Sequence, residues 1–367
     1  MMLGLRGFPG VQGGIETHAE HLCPLLAELG CKVDVIVRSR YQHSELGSTW
    51  KKVNFHPLWC PKSKGVEAIV HTLLGVLYAG FVNRPDILHI HAIGPAIMTP
   101  LARLLGLKVV FTHHGPDYDR QKWGNFAKYV LKLGERLGIR WSNGRIVLSE
   151  VICSIAGDIH SNETELIPNG VILPELPTSV GAPRSFGLTS GKYILMVGRL
   201  VPEKRHLDLI RAFREANLPQ WHLALVGSSD HPDDYTRNVF REATTVPRVV
   251  CTGFQSGLAL RELYAHAGVF VLPSSHEGLP IALLEALSYG LPVIASAIPA
   301  NLEVGLPPEH YFLLGNISSL AERLVAFSGQ PISDGDRSDR RQWVAERFNW
   351  TVIAERTLAL YKRVLRM

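Results

Sequence analysis

The 367-residue sequence is poor in cysteine. Its five thiols, Cys23, Cys31, Cys60, Cys153 and Cys251, are odd in number, far apart and free of any C-x-x-C pair. That spacing excludes a disulfide framework and a thiolate zinc site, and it fits a reducing compartment. Long apolar runs are scarce too. The opening Met1-Met2-Leu3-Gly4-Leu5-Arg6-Gly7 lacks the apolar core of a signal peptide. The most apolar stretch, residues 68–82, holds a histidine and two glycines and falls short of the roughly 20 residues a spanning helix needs, so it reads as a buried helix, with a membrane-dipping segment as the second reading. Charge excess is also missing: Lys+Arg 38 against Asp+Glu 33 leaves +5, which excludes a nucleic-acid-binding chain. With 46% hydrophobic and 8% aromatic residues, disorder is excluded as well. At roughly 100–200 residues per domain, two globular domains in the cytoplasm are expected.

What is present is an alternation. Short β-rich runs at 33–37, 87–90, 109–112 and 144–148 are separated by helical patterns such as 15–29, where Ile15, Ala19, Leu22, Leu26 and Leu29 share one face. A proline-rich stretch around 173–184 interrupts the rhythm and reads as a linker. The pattern then restarts at 193–197, 222–226, 248–251, 269–272 and 293–295. The expectation is an α/β chain of two Rossmann-like, doubly wound domains, 1–175 and 186–340, facing a cleft, with ligands beyond the carboxyl ends of the strands. Residues 341–367 are helical in pattern and are expected to pack back on the first domain.

The most informative stretch is residues 272–290, LPSSHEGLPIALLEALSYG. Glu277 follows an apolar strand, Pro280 suits a first helical turn, and Gly290 before Pro292 suits the helix end. Amides from Gly278 to Ala282 at a helix N-terminus suit an anion such as a phosphate, while Glu277 and Glu285 accept hydrogen bonds from sugar hydroxyls. The plainer reading makes Glu277 a solvated loop residue and Glu285 a surface one.

The Glu277-x7-Glu285 pattern within S-x-x-E-G-L-P resembles the signature of retaining, nucleotide-sugar-dependent glycosyltransferases of family 4, which have the GT-B fold. Gly13-Gly14, His113-His114-Gly115, Ile167-Pro168-Asn169-Gly170, Gly198-Arg199-x4-Lys204 and Gly253-Phe254 resemble that family in the same order. The resemblance implies Arg199 and Lys204 as cations for the leaving diphosphate. It further implies Glu277 at a hydroxyl of the transferred sugar with Gly278, Leu279 and Pro280 beside it, Glu285 at the ribose, and Phe254 at the nucleobase. Gly227 stands for the family's Gly-x-Gly turn, with Ser229 in place of the second glycine, and Arg205 replaces the glycine usual after the lysine. Gly13 and Gly14 permit close backbone approach ahead of the first helix. His114, rather than His113, is the histidine the resemblance sets against the sugar.

No cofactor is implied: the nucleotide sugar is a co-substrate, and no metal is expected. His89 and His91 flank Ile90 and share a strand face, yet no carboxylate or third histidine stands at ligand spacing, so hydrogen bonding is expected of them. Between 126 and 141, Phe126, Tyr129, Val130, Leu133, Leu137 and Trp141 recur at helical spacing, with Lys128, Lys132, Arg136 and Arg140 on another face. Such a helix either packs its apolar stripe on its own sheet or rests on an anionic membrane. The leading expectation is sugar transfer from a UDP- or GDP-type donor to a glycan or lipid-linked glycan in surface polysaccharide assembly, at the inner membrane face. A nucleotide-sugar epimerase or hydrolase, and a non-catalytic nucleotide-sugar-binding protein, stay open as alternatives.

Overall fold

The computed structural model describes residues 1–41, 47–62, 66–116, 118, 124–155, 164–229, 233–330 and 332–366. The chain divides into two units, Met1–Gly170 with Trp350–Met367, and Val171–Asn349.

The first unit begins with β1 (Met2–Leu3), α1 (Gly14–Glu28) and β2 (Val33–Arg38), followed by β3 (Thr49–Trp50) and β4 (Val53–Leu58). It continues through α2 (Val66–Tyr78), β5 (Leu88–His91), α3 (Thr99–Leu104), β6 (Val109–His113), α4 (Asn125–Trp141), β7 (Gly144–Val147), α5 (Glu150–Ile155) and β8 (Thr164–Leu166). Among the described residues the sheet order is β3-β4-β2-β1-β5-β6-β7-β8, parallel apart from the β3–β4 pair. β1 lies at its centre although only two residues long: Met2 pairs with Val35 on one side and His89 on the other. Two residues carry no period, which is why the sequence pattern passes over this strand.

The second unit holds α6 (Gly181–Ser185), β9 (Tyr193–Val197), α7 (His206–Ala216), β10 (His222–Val226), α8 (Asp234–Thr245), β11 (Val249–Gly253) and α9 (Gly257–Ala265). Then come β12 (Val269–Leu272), α10 (Ile281–Ser288), β13 (Val293–Ser296), α11 (Pro299–Leu302), β14 (Tyr311–Phe312), α12 (Ile317–Ser328) and α13 (Asp334–Arg347). The sheet runs β11-β10-β9-β12-β13-β14, with β9 paired parallel to both β10 and β12. Ile194, Met196, Leu209, Phe213, Trp221 and Leu225 anchor its core.

The last helix, α14 (Trp350–Arg366), returns to the first unit and packs on α1. Its buried Trp350 lies over Gly170, where a Cβ would come within 2.6 Å of the indole, and Val364 lies over Gly144. Lys108 Nζ donates to the carbonyls of Val364 and Leu365 at 3.0 and 2.9 Å, placing a cation at the negative end of that helix.

Three expectations need adjustment. The C-terminal stretch is two helices split at Phe348–Asn349, so residues 341–347 stay with the second unit. Part of the proline-rich linker is packed: Pro183 is buried in the first turn of α6, where its missing N–H costs nothing, and Glu262 accepts from Ala182 N at 2.6 Å and Ser179 Oγ at 2.5 Å. The apolar stretch at 68–82 is only half-buried. Residues 66–83 are long and apolar enough to cross a membrane, yet 39% of them are buried while Ile69, Leu73, Phe81 and Val82 are exposed.

Candidate functional site

In the second unit the chain order reverses between β9 and β12, which are neighbours in the sheet although far apart in sequence. Loops leaving the carboxyl ends of two strands diverge at such a point and leave room for a ligand. Arg199, half-buried, and Lys204 follow β9, whereas Glu277 follows β12. Lys204 Nζ donates to Glu277 Oε1 at 2.5 Å, with both side chains largely buried. The backbone laces the same two loops together, since Ser275 N donates to Glu203 O at 2.8 Å. Gly198 runs alongside the Lys204 stem, where a Cβ would stand 3.6 Å from Cδ and Cε. The ion pair, formed between residues 73 apart in sequence, thus bridges two loops that a main-chain bond also joins.

The neighbouring strand ends are tied in the same way. Gly198 N donates to Val226 O and Gly227 N to Gly253 O, both at 2.9 Å, so the glycine turns after β9, β10 and β11 form one edge. Gly253 sits at φ +72, in the left-handed region, and turns the exposed Phe254 outward. Arg205, where the resemblance leads one to expect glycine, takes the left-handed φ of +57 and is held there by a 2.6 Å ion pair with Asp208.

Pro280 stands one position earlier than its sequence suggests, at the N-cap rather than in the first turn, and its carbonyl accepts from Leu283 N at 3.0 Å and Leu284 N at 3.2 Å. Gly278 and buried Leu279 lie on the approach to α10. One turn into the helix, Glu285 accepts from Tyr264 Oη at 3.0 Å. Burial, and then the Glu285 charge, push the Tyr264 phenol well above its ordinary value, so it remains a donor. Tyr264 stacks on Tyr289 at 5.1 Å. This supporting shell has no short-range sequence signal.

In the first unit, Arg6 Nε donates to Glu16 Oε1 at 3.2 Å, tying the segment after β1 to α1. Gly13 is packed against this pair: a Cβ there would come within 2.1 Å of Glu16 Oε2. Gly14 is exposed in open space at the start of α1. At the strand ends stands a group of imidazoles. His113 is structural, because Gly115 N donates to its Nδ1 at 3.1 Å and its Nε2 donates to Glu135 at 2.7 Å. His114 is partly exposed, and its Nε2 lies 3.0 Å from His91 Nδ1. His89 stacks on His91 at 4.1 Å and bonds to Tyr361 and Thr112, both at 2.6 Å. The hydrogen bonding expected of His89 and His91 is present, and the fold also brings to His91 two histidines that sequence spacing does not reveal. These are His114 and, from α1, His18, with ring centroids 5.3 and 5.6 Å from that of His91. Helix periodicity could place His18 on an inward face but not across from His91. Burial pushes His18 down to about 4 and His91 and His114 well below the ordinary imidazole value, so all three are neutral.

α4 corrects the expectation that its aromatic stripe packs on the sheet. Its buried residues are Gly134, Glu135 and Gly138, while Phe126, Tyr129 and Trp141 are 81%, 64% and 47% exposed. The glycines decide this. A Cβ at Gly134 would lie 2.1 Å from Ile93 O, and one at Gly138 2.9 Å from Ala96 Cβ, so the glycine face lets the helix approach closely and leaves the aromatics outside. The Gly134-x3-Gly138 spacing is the sequence signal for that orientation.

Comparison with known proteins bears on both units. Residues 12–173 match the model described as Glycosyltransferase Family 4, and residues 183–324 match Glycosyl transferases group 1. A UDP-Gal:alpha-D-GlcNAc-diphosphoundecaprenol alpha-1,3-galactosyltransferase of Escherichia coli is 31% identical over 230 residues, an alignment spanning 59% of this chain and 59% of that protein. An alpha-maltose-1-phosphate synthase of Mycobacterium tuberculosis is 26% identical across 97% of each chain. Among solved structures, sucrose-phosphate synthase from Thermosynechococcus elongatus superposes with a TM-score of 0.83 at 22% identity, covering 100% of this chain and 98% of that one. Anabaena HepE in complex with UDP-glucose gives 0.78 at 17% identity, covering 99% and 98%. These likenesses show the GT-B fold.

Proposed function

The chain belongs to the family-4, group 1 glycosyltransferases, and on that premise we propose that it moves a sugar, with retained anomeric configuration, from a UDP- or GDP-type donor to a hydroxyl of a lipid-linked glycan. The observation that carries this reading is the Lys204–Glu277 pair at the reversal point of the second sheet, a cation and a carboxylate fixed side by side. Arg199 and Lys204 take the donor diphosphate and stabilise the negative charge that grows on it as its bond to the sugar breaks. Glu277, relieved of the lysine, accepts from a sugar hydroxyl. The Tyr264 hydrogen bond holds Glu285 for the ribose, and Phe254 meets the base. His114, neutral, donates to the transferred sugar. The acceptor oxygen forms its bond to the anomeric carbon on the face the diphosphate leaves, and its proton passes to the departing diphosphate oxygen. These residues supply two cations and no carboxylate cluster for the diphosphate, which supports transfer without a metal there.

A lipid-linked acceptor is supported by the E. coli relative, whose name specifies a diphosphoundecaprenol substrate. It is also supported by the outward aromatic face of α4, which Lys128, Lys132, Arg136 and Arg140 flank, and by the exposed apolar side chains of α2 and its following turn. Aromatics with flanking cations suit an anionic bilayer. Incubation with labelled UDP- and GDP-sugars, with and without membrane extract, tests the reading: label in lipid supports it, and release of free or epimerised sugar replaces it. Changing Lys128, Lys132 and Arg140 to Gln is expected to release the protein from anionic vesicles, and unchanged sedimentation with the vesicles refutes the docking helix.

A further inference from the structure

We propose that His18, His91 and His114 form a binding site for a single zinc ion in the first unit. The three come from separate elements, α1, the last residue of β5 and the segment after β6, and one ring nitrogen of each lies within 4.8 Å of the others. Tetrahedral zinc with Zn–N bonds of about 2.0–2.1 Å sets its ligand nitrogens about 3.4 Å apart. His91 Nδ1 and His114 Nε2, at 3.0 Å, already stand near that spacing.

His18 supplies the independent observation. Its Nδ1 is 2.8 Å from Asn169 Oδ1, an oxygen that only accepts, so Nδ1 carries the proton and Nε2 presents a lone pair. That Nε2 is buried without a hydrogen-bond partner, on a side chain of a residue only 3% exposed. The arrangement is that of a metal-ligating histidine whose second nitrogen is oriented by an amide oxygen. His91, fully buried, meets His114 through Nδ1 and has no partner at Nε2, which is the nitrogen that takes the ring proton when Nδ1 binds the ion. The proton shared between His91 and His114 passes to the other nitrogen of its own ring, so the three ligands remain neutral imidazoles. A donor set of imidazoles without carboxylates suits zinc and excludes magnesium and calcium. His114 is the partly exposed member, so the fourth coordination position opens on its side.

The ion binds His114, the residue that the proposed reaction sets against the transferred sugar, and zinc is therefore an inhibitor of transfer. That consequence rests on the functional reading above, whereas the binding itself does not.

Untagged full-length protein, dialysed separately against Zn²⁺ and Mg²⁺, is expected to retain one zinc per chain and no magnesium. Co²⁺ in its place is expected to give the intense visible absorption of a tetrahedral site. His114→Ala and His91→Ala are expected to weaken zinc binding at least about tenfold with unchanged circular dichroism. Absence of stoichiometric zinc, a weak octahedral cobalt spectrum, or unchanged zinc affinity in folded His114→Ala would overturn the site. The cobalt spectrum of the unmodified protein decides the matter even where a variant fails to fold. Zinc held at this site with transfer undiminished would overturn the inhibitory role, while loss of transfer in zinc-free protein would count against the functional reading.

Discussion

The two sheets share a doubly wound layout, yet the groups gathered at their carboxyl ends differ. At the second sheet the ends hold ions, the Lys204–Glu277 pair with Arg199 nearby. At the first, beside the Arg6–Glu16 pair after β1, they hold a group of imidazoles kept uncharged by burial. The fold supplies strand-end loops and the room between them in both units, but it does not choose the ligand. Fixed charge suits a diphosphate, and neutral nitrogen donors suit hydroxyl groups or a borderline metal ion such as zinc.

Several substitutions sharpen that contrast. The largest effect is expected from Lys204→Met, which removes the charge aimed at the leaving group and strands the mostly buried Glu277. Turnover should fall at least about tenfold, since a charged contact is worth about 1.5–3 kcal/mol. Steady-state kinetics on folded protein reads this, and an equal loss from His114→Ala would erase the distinction between the units. Next comes Gly134→Ala, which drives a methyl into Ile93 O and lifts α4 off the segment that follows β5. A loss of about 1–3 kcal/mol is expected in urea unfolding, and an unchanged midpoint would show that the glycine face does not set the helix orientation.

A smaller effect concerns protons. Burial, and then Lys204, push His206 down to about 3, so the unfolded chain binds a proton that the native state refuses. Stability from this group is present above the ordinary imidazole value and is lost as pH falls towards about 3. At about one pH unit below the ordinary value the loss is about 1.4 kcal/mol, and His206→Gln should flatten the corresponding slope of melting temperature against pH. The smallest effect is that of Tyr264→Phe, which takes one hydrogen bond from Glu285. Donor KM should rise about two- to tenfold for a bond worth about 0.5–1.5 kcal/mol, with kcat held; a fall in kcat instead would make Tyr264 part of the chemistry.

Much of the scaffold was legible beforehand. Runs such as 193–197, 222–226 and 269–272 coincide with β9, β10 and β12, because a buried parallel strand is an unbroken apolar run. β1 was not legible, since two residues hold no pattern and its central place is set by partners on both sides. Glu277 and Lys204 could each be picked out by motif, but their 2.5 Å contact could not, because it depends on β9 and β12 being sheet neighbours. The stripe on α4 was visible as a period, whereas its outward direction followed from close approach at Gly134 and Gly138.

By itself, then, the amino-acid order determined the alternation of strands and helices, the reading of two doubly wound halves, and the family-type carboxylate and cation motifs, all of which rest on neighbours a few positions apart. Tertiary structure decided which distant side chains meet. It brought His18 to His91 and His114, set Tyr264 against Glu285, and returned α14 to the first unit. Local periodicity reports which face of an element is apolar, and only the packing of crossovers against the sheet reports what that face touches.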